Sequence, residues 1–128
     1  MTKSAFSRLF LCTCAVVAGL ATGPAVMAQD AAPAYVLVEL NVTDAEGFKE
    51  YGEKVPGIIA VHGGTVLVNA EAQTMEGTPP NGRVIIVRFP NVESVHAWLE
   101  SPEYMAIRDI RHRTAETRQL IVEGLPEH

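Results

Sequence analysis

The chain has 128 residues, with 15 acidic against 10 basic side chains and a formal net charge of −5 when histidine is neutral. A surface of that sign repels nucleic-acid phosphates and anionic lipid headgroups, so neither is an expected partner. The only two cysteines, Cys12 and Cys14, sit close to the N-terminus, which excludes a disulfide framework for the rest of the chain.

Lys3 and Arg8 give a basic start, Leu9 to Leu20 is an apolar run, and Val26-Met27-Ala28 ends in small residues. This is the pattern of a secretory signal peptide covering residues 1–28, with cleavage expected between Ala28 and Gln29. The apolar run is shorter than the ~20 residues that a membrane-spanning helix needs. Leu11 and Thr13 precede the two cysteines, where a lipoprotein site wants a small residue. The expected mature protein is periplasmic or secreted, free of cysteine and away from the membrane. It is held by its own core or by a partner subunit. Residues 29–34 (QDAAPA) read as a flexible tether, 35–124 as one domain and 125–128 as a tail.

Tyr35 to Thr43 alternates with period two, which puts Val36, Val38, Leu40 and Val42 on one face of a strand and Tyr35, Leu37, Glu39 and Asn41 on the other. Asp44 caps a helix with Glu46 in its first turn. Phe48, Tyr51, Val55, Ile59 and His62 form its buried stripe, with Pro56 expected to bend or split it. Gly63-Gly64 ends the helix. Thr65 to Asn69 is a second strand, with a possible resumption over Gln73 to Glu76. The turn GTPPNG then leads into a third strand, Arg83 to Phe89, with Ile85, Val87 and Phe89 facing one way and Val84, Ile86 and Arg88 the other.

Pro90-Asn91 opens a helix whose buried stripe is Val92, Val95 and Leu99, with Trp98 on the flank. At Ser101-Pro102-Glu103-Tyr104 the next helix starts. A hydroxyl caps free amides, proline takes the first helical position and an acid meets the positive end of the dipole. Tyr104, Ile107, Ile110 and Thr114 line that helix, and Arg118 to Glu123 closes the chain as a strand. The order predicts an α+β, ferredoxin-like βαββαβ fold: a four-stranded antiparallel sheet with helices on one face. The helix-free face then carries Leu37, Val84, Ile86 and either Leu67 or Val66, too much apolar surface to leave wet. A second copy of the sheet is its simplest cover, giving a homodimer.

The segments AVHGGTVLVNA, EGTPPNGRVIIVRFP, SPEYMAIRDIR and LIVEG resemble, in this order, the domain-of-unknown-function family 1330. The resemblance runs from about Tyr35 to Gly124 and implies a ferredoxin-like half that dimerises into an α/β barrel. It implies no single activity: the wider barrel superfamily includes cofactor-free monooxygenases, isomerases and stress-response dimers, and fold does not carry function among them.

Arg111 falls on the inward stripe of the last helix, where a guanidinium either grips a carboxylate or enolate, pairs with a glutamate, or snorkels outward. His62 closes the buried stripe of the first helix. It is placed to hydrogen-bond the free carbonyls there or to move a proton. His96 and His112 face solvent. Glu39 and Arg88 interrupt the apolar outer face on strands expected to be neighbours, so they read either as a cross-strand ion pair or, with Asn41, as the polar floor of a ligand pocket. The histidines are far apart, Gly63-Gly64 lacks a dinucleotide-loop context and Ser101 lacks that of a nucleophile, so neither metal nor cofactor is expected. The functional expectation is an exported dimer that binds a small acidic or enolic molecule or serves in stress response. The other possibilities are a cofactor-free monooxygenase or isomerase using Arg111 and His62, and a purely structural dimer.

Overall fold

The computed structural model describes residues 32–128; the leader, its cleavage site and the first part of the tether lie outside them. Seven elements follow in order: β1 (Ala34–Val42), α1 (Ala45–Val61), β2 (Thr65–Glu71), β3 (Arg83–Phe89), α2 (Val92–Glu100), α3 (Pro102–Thr114) and β4 (Ala115–Glu123). The strands form one antiparallel sheet in the order β2-β3-β1-β4, the expected α+β βαββαβ arrangement. None of the helices among the described residues is long and apolar enough to cross a membrane.

The local signals act as the residue types dictate. The Asp44 carboxylate accepts from Gly47 N at 3.0 Å, the Asn91 amide oxygen from Ser94 N at 2.8 Å, and the Ser101 hydroxyl from Tyr104 N at 3.3 Å. Each satisfies one of the amide groups that a helix start leaves without a partner. At the other end of α1, Gly63 takes φ 78° and Gly64 N bonds Ile59 O at 2.9 Å. Pro56 does not split α1, which is continuous across it. Proline brings no N–H, so the Gly52 carbonyl loses its helical donor while packing holds the axis.

Residues of alternate parity on β1 and β3 face the helices, and Val36, Val38, Leu40, Val87 and Phe89 are buried there. Trp98 belongs at the centre of this core and not on the flank of α2. It is 2% exposed, stacked on Phe89 at 5.4 Å and tilted against Tyr104 at 4.8 Å. Burying such side chains supplies about 1.5–3 kcal/mol each, which is why the largest aromatic takes the inward position.

Three boundaries and one register differ from the sequence expectation. Ala34 is the buried first residue of β1, and Pro33 O accepts from Gly124 N at 2.6 Å, so the last residues assigned to the tether are packed. β2 ends at Glu71 and no strand resumes at Gln73. β4 begins at Ala115, directly after α3. A bulge between Val66 and Val68 leaves Leu67 without an opposite residue. Val66 thereby faces the helix side across from Val87, and Val68 joins Ile86 on the outer face. The outer face carries Leu37, Val84 and Ile86 as expected, with Leu120 and Val122 of β4 added at 44% and 47% exposure.

The turn into β3 depends on Gly82, which has φ 85° and lies so close to Leu40 that a Cβ would sit 2.2 Å from its carbonyl oxygen. Gly82→Ala should therefore destabilise the fold by at least ~2 kcal/mol, since the left-handed conformation is disfavoured and the clash is with backbone. Urea unfolding measures this directly; a midpoint equal to that of the native chain would contradict it.

Candidate functional site

Between α1 and the helix side of the sheet lies a cavity of about 150 Å³. Phe48, Tyr51, Val55, Pro56 and Ile59 of α1 form its roof, and Val38, Leu40, Ile85, Val87 and Val66 its floor. Polar atoms enter from few residues: Arg111, Tyr51, Trp98, Asn69 and Gln119. The lining has one cation and no carboxylate.

Arg111 is carried inward by the stripe Tyr104, Ile107, Arg111 and Thr114 of α3 and is 6% exposed. Its Nη1 donates to the Thr117 hydroxyl, and its Nη2 lies 3.1 Å from His112 Nε2. A guanidinium can only donate, so His112 accepts through Nε2 and carries its proton on Nδ1. The glutamate pairing considered for Arg111 does not occur, and no carboxylate lies within ion-pair distance among the described residues. The Arg111 Nε–H, buried, has no partner among the described residues.

Two further donors, in the hydrophobic core, are in the same condition. Trp98 Nε1 and the Tyr104 hydroxyl are buried without a hydrogen bond. Native interiors leave few such groups unsatisfied, and each needs a reason. Burial first, and then the adjacent Tyr104, push the Tyr51 phenol far above its ordinary ionisation range, while Arg111 pulls in the opposite direction. Tyr51 therefore keeps its proton and is available as a donor. Several N–H and O–H groups and no acid thus surround an apolar space, an arrangement suited to an oxygen-bearing anion.

The remaining sequence candidates lie elsewhere. His62 is the C-cap of α1 and borders a separate hollow with Gly57, Ile58, Val61 and Glu103. Helices α1 and α3 run antiparallel, with Asp44 beside Thr114 at one end, so His62 and Arg111 belong to different sites. Glu39 and Arg88 are not opposite one another: the register sets Arg88 against Tyr35 and Glu39 against Val84 and Arg118. Glu39 pairs with Arg118, and Arg88 bonds Glu127 at 2.7 Å. Asn41 donates to Glu116 at 3.2 Å, as does Asn81 at 3.1 Å. These outer-face groups close on each other beside a shallow hollow of about 80 Å³ that Glu39 and Arg118 share with Leu37, Val84 and Leu120. No group of three or more His, Cys, Asp and Glu gathers in metal-binding fashion among the described residues.

Reading residues alone missed Trp98, Asn69 and Gln119 as site members. Trp98 had a usable signal, since a tryptophan three residues after Val95 shares that residue's helical face. Asn69 and Gln119 had none, because their place depends on how strands far apart in sequence pair.

The fold and the cavity define a ferredoxin-like α+β domain with a partly open space between helices and sheet. Residues 33–125 match the model of the Domain of unknown function (DUF1330), and the chain belongs to that family. Among curated proteins, none matches it. The RPA0582 protein of Rhodopseudomonas palustris, itself of unknown function, has a similar structure at 19% identity and TM-score 0.62, over 75% of this chain and 85% of that one. SnoaB of Streptomyces nogalater, a cofactor-independent oxygenase, is similar at 14% identity and TM-score 0.54, over 76% of this chain and all (100%) of its own. HapK of Hahella chejuensis is similar at 15% identity and TM-score 0.51, over 74% and 95%. At these identities the likeness is one of fold.

The outer network generates a pH dependence. Arg118 holds the Glu39 carboxyl below its usual range, and Asn81 with Asn41 does the same for Glu116. Folded values that are depressed stabilise the protein above the unfolded carboxylate pKa of about 4.3, and that stabilisation is lost as pH falls through the folded values. Replacing both by glutamine should flatten the fall in melting temperature across the acid range. An acid limb as steep as that of the native chain would assign it to other carboxylates.

Proposed function

We propose that this protein is an exported dimer that binds a small organic anion, a carboxylate or enolate, in the cavity under α1. Arg111 provides the counter-charge. The observation that carries this reading is a guanidinium 6% exposed, with a free Nε–H, on the wall of an apolar space that contains no acid. A space of about 150 Å³ matches one aromatic ring in size. A cofactor-free enzyme built on the same cavity finds less support. His62 lies outside it, Tyr51 keeps its proton, and no lining side chain is a base near neutral pH. The basic start, apolar run and Val26-Met27-Ala28 ending support export.

A second copy of the sheet covers Leu37, Ile86, Val84, Leu120 and Val122 in this reading, because such a continuous apolar face favours association. Ile86→Lys should convert the dimer to monomer or aggregate in sedimentation; a variant that sediments as the native dimer would place the interface elsewhere.

The binding site is tested through Arg111→Met, which keeps the length and apolar contacts of the side chain but removes its charge. With no carboxylate left stranded, the variant should melt within a few degrees of the native protein or slightly above it. Benzoate at a hundredfold its Kd should stabilise the native protein by about 2.7 kcal/mol and leave the variant unmoved. A severe loss of stability in the variant would make Arg111 a structural residue. Failure of benzoate and other one-ring acids to stabilise the native protein would remove the anion site.

A further inference from the structure

Asn69 lies on the helix side of β2, opposite Ile85, and lines the same cavity as Arg111. Its amide is not free to turn. Arg83 Nε donates to Asn69 Oδ1 at 2.9 Å, and Arg83 Nη2 donates to the Asn69 carbonyl at 2.8 Å. Because a guanidinium has no acceptor, the side-chain atom facing Arg83 has to be oxygen. The amide NH2 is therefore turned away from Arg83, and it has no hydrogen-bond partner among the described residues. Arg83 itself lies outside the cavity lining, so its role here is to orient Asn69.

The two polar ends of the cavity stand on opposite edges of the sheet. Asn69 belongs to β2, whereas Arg111 is fastened to Thr117 of β4. β3 and β1 lie between them and contribute Ile85, Val87, Val38 and Leu40. Three strand spacings amount to about 14 Å. A ring with a substituent at each end, met by a side chain from either edge of the sheet, is of that order of length. Asn69 is exposed, so a substituent there projects toward the mouth of the cavity.

We infer that the ligand has two recognised ends: an anionic group at Arg111 and, across a flat apolar body, a hydrogen-bond acceptor at the Asn69 amide. This rests on the anion reading of the cavity and narrows it to acids with a carbonyl, ether or nitro oxygen opposite the acid group. An acceptor at that end takes the free amide hydrogen of Asn69, which an alkyl group of the same shape cannot do.

Calorimetry with benzoate, 4-acetylbenzoate and 4-isopropylbenzoate tests the assignment, since the last two share a shape and differ in the acceptor. The native protein should prefer the acetyl compound over the isopropyl one by about fivefold, the worth of one neutral hydrogen bond. Asn69→Ala should bind benzoate as before and lose the preference. Arg83→Met, which keeps Asn69 but releases its amide, should lose most of it. Benzoate binding with equal affinity for the two substituted acids, or a preference that survives Asn69→Ala, overturns the two-ended ligand and leaves the anion site standing. No binding of any of the three acids by the native protein overturns both.

Discussion

One backbone oxygen joins the two halves of this fold. The Thr114 carbonyl, at the end of α3, accepts from Thr43 N at 2.8 Å, Asp44 N at 3.0 Å and the Thr43 hydroxyl at 3.1 Å. It therefore anchors the start of α1 to the end of α3, so the two helices lie antiparallel over the sheet. Arg111 is one turn before that point, and its own carbonyl accepts from the Ala115 N–H that begins β4. The roof of the cavity and the charge at its wall are thus set by the same junction. Gly47 is small for the same reason: a Cβ there would come within 2.9 Å of the Thr114 methyl.

The arrangement also settles a conflict between long-range and short-range electrostatics. The chain is acidic overall, and its field disfavours the approach of an anion. Solvent ions screen that field over roughly 8 Å at physiological salt. A guanidinium inside an apolar wall is screened far less, so under the proposed function the local charge would outweigh the overall field within the cavity. Affinity in such a site is set by desolvated hydrogen bonds more than by net charge, and its on-rate should be slower than that of a basic cleft.

Much of the architecture was legible because its signals are local. Asp44, Ser101-Pro102, Gly63-Gly64 and the alternation in β1 and β3 each act within a few residues of themselves, and all appear where the residue types put them. Arg111 was legible as an inward charge because helical periodicity locates it. What could not be read depends on register or on competition between neighbours. Glu39 was expected opposite Arg88, but the β1–β3 alignment, which no local signal specifies, puts Val84 there, and the β1–β4 alignment puts Arg118 on its other side. Trp98 and Leu99 competed for one inward position, and size decided it. The bulge at Leu67 moved Val66 to the inner face, which plain alternation cannot anticipate.

That bulge has a meaning for the protein's life outside its own fold. β2 is an edge strand, and the outer rim of any edge strand offers unpaired N–H and C=O groups to a passing extended peptide. An extra residue in mid-strand puts the rim out of step with a regular ladder and sharpens its twist, so an incoming strand meets the first few groups and then loses register. An open sheet with two free edges is exposed to fibril-like growth whenever it is crowded. Here the irregularity that shapes one wall of the cavity also acts as a barrier to open-ended polymerisation.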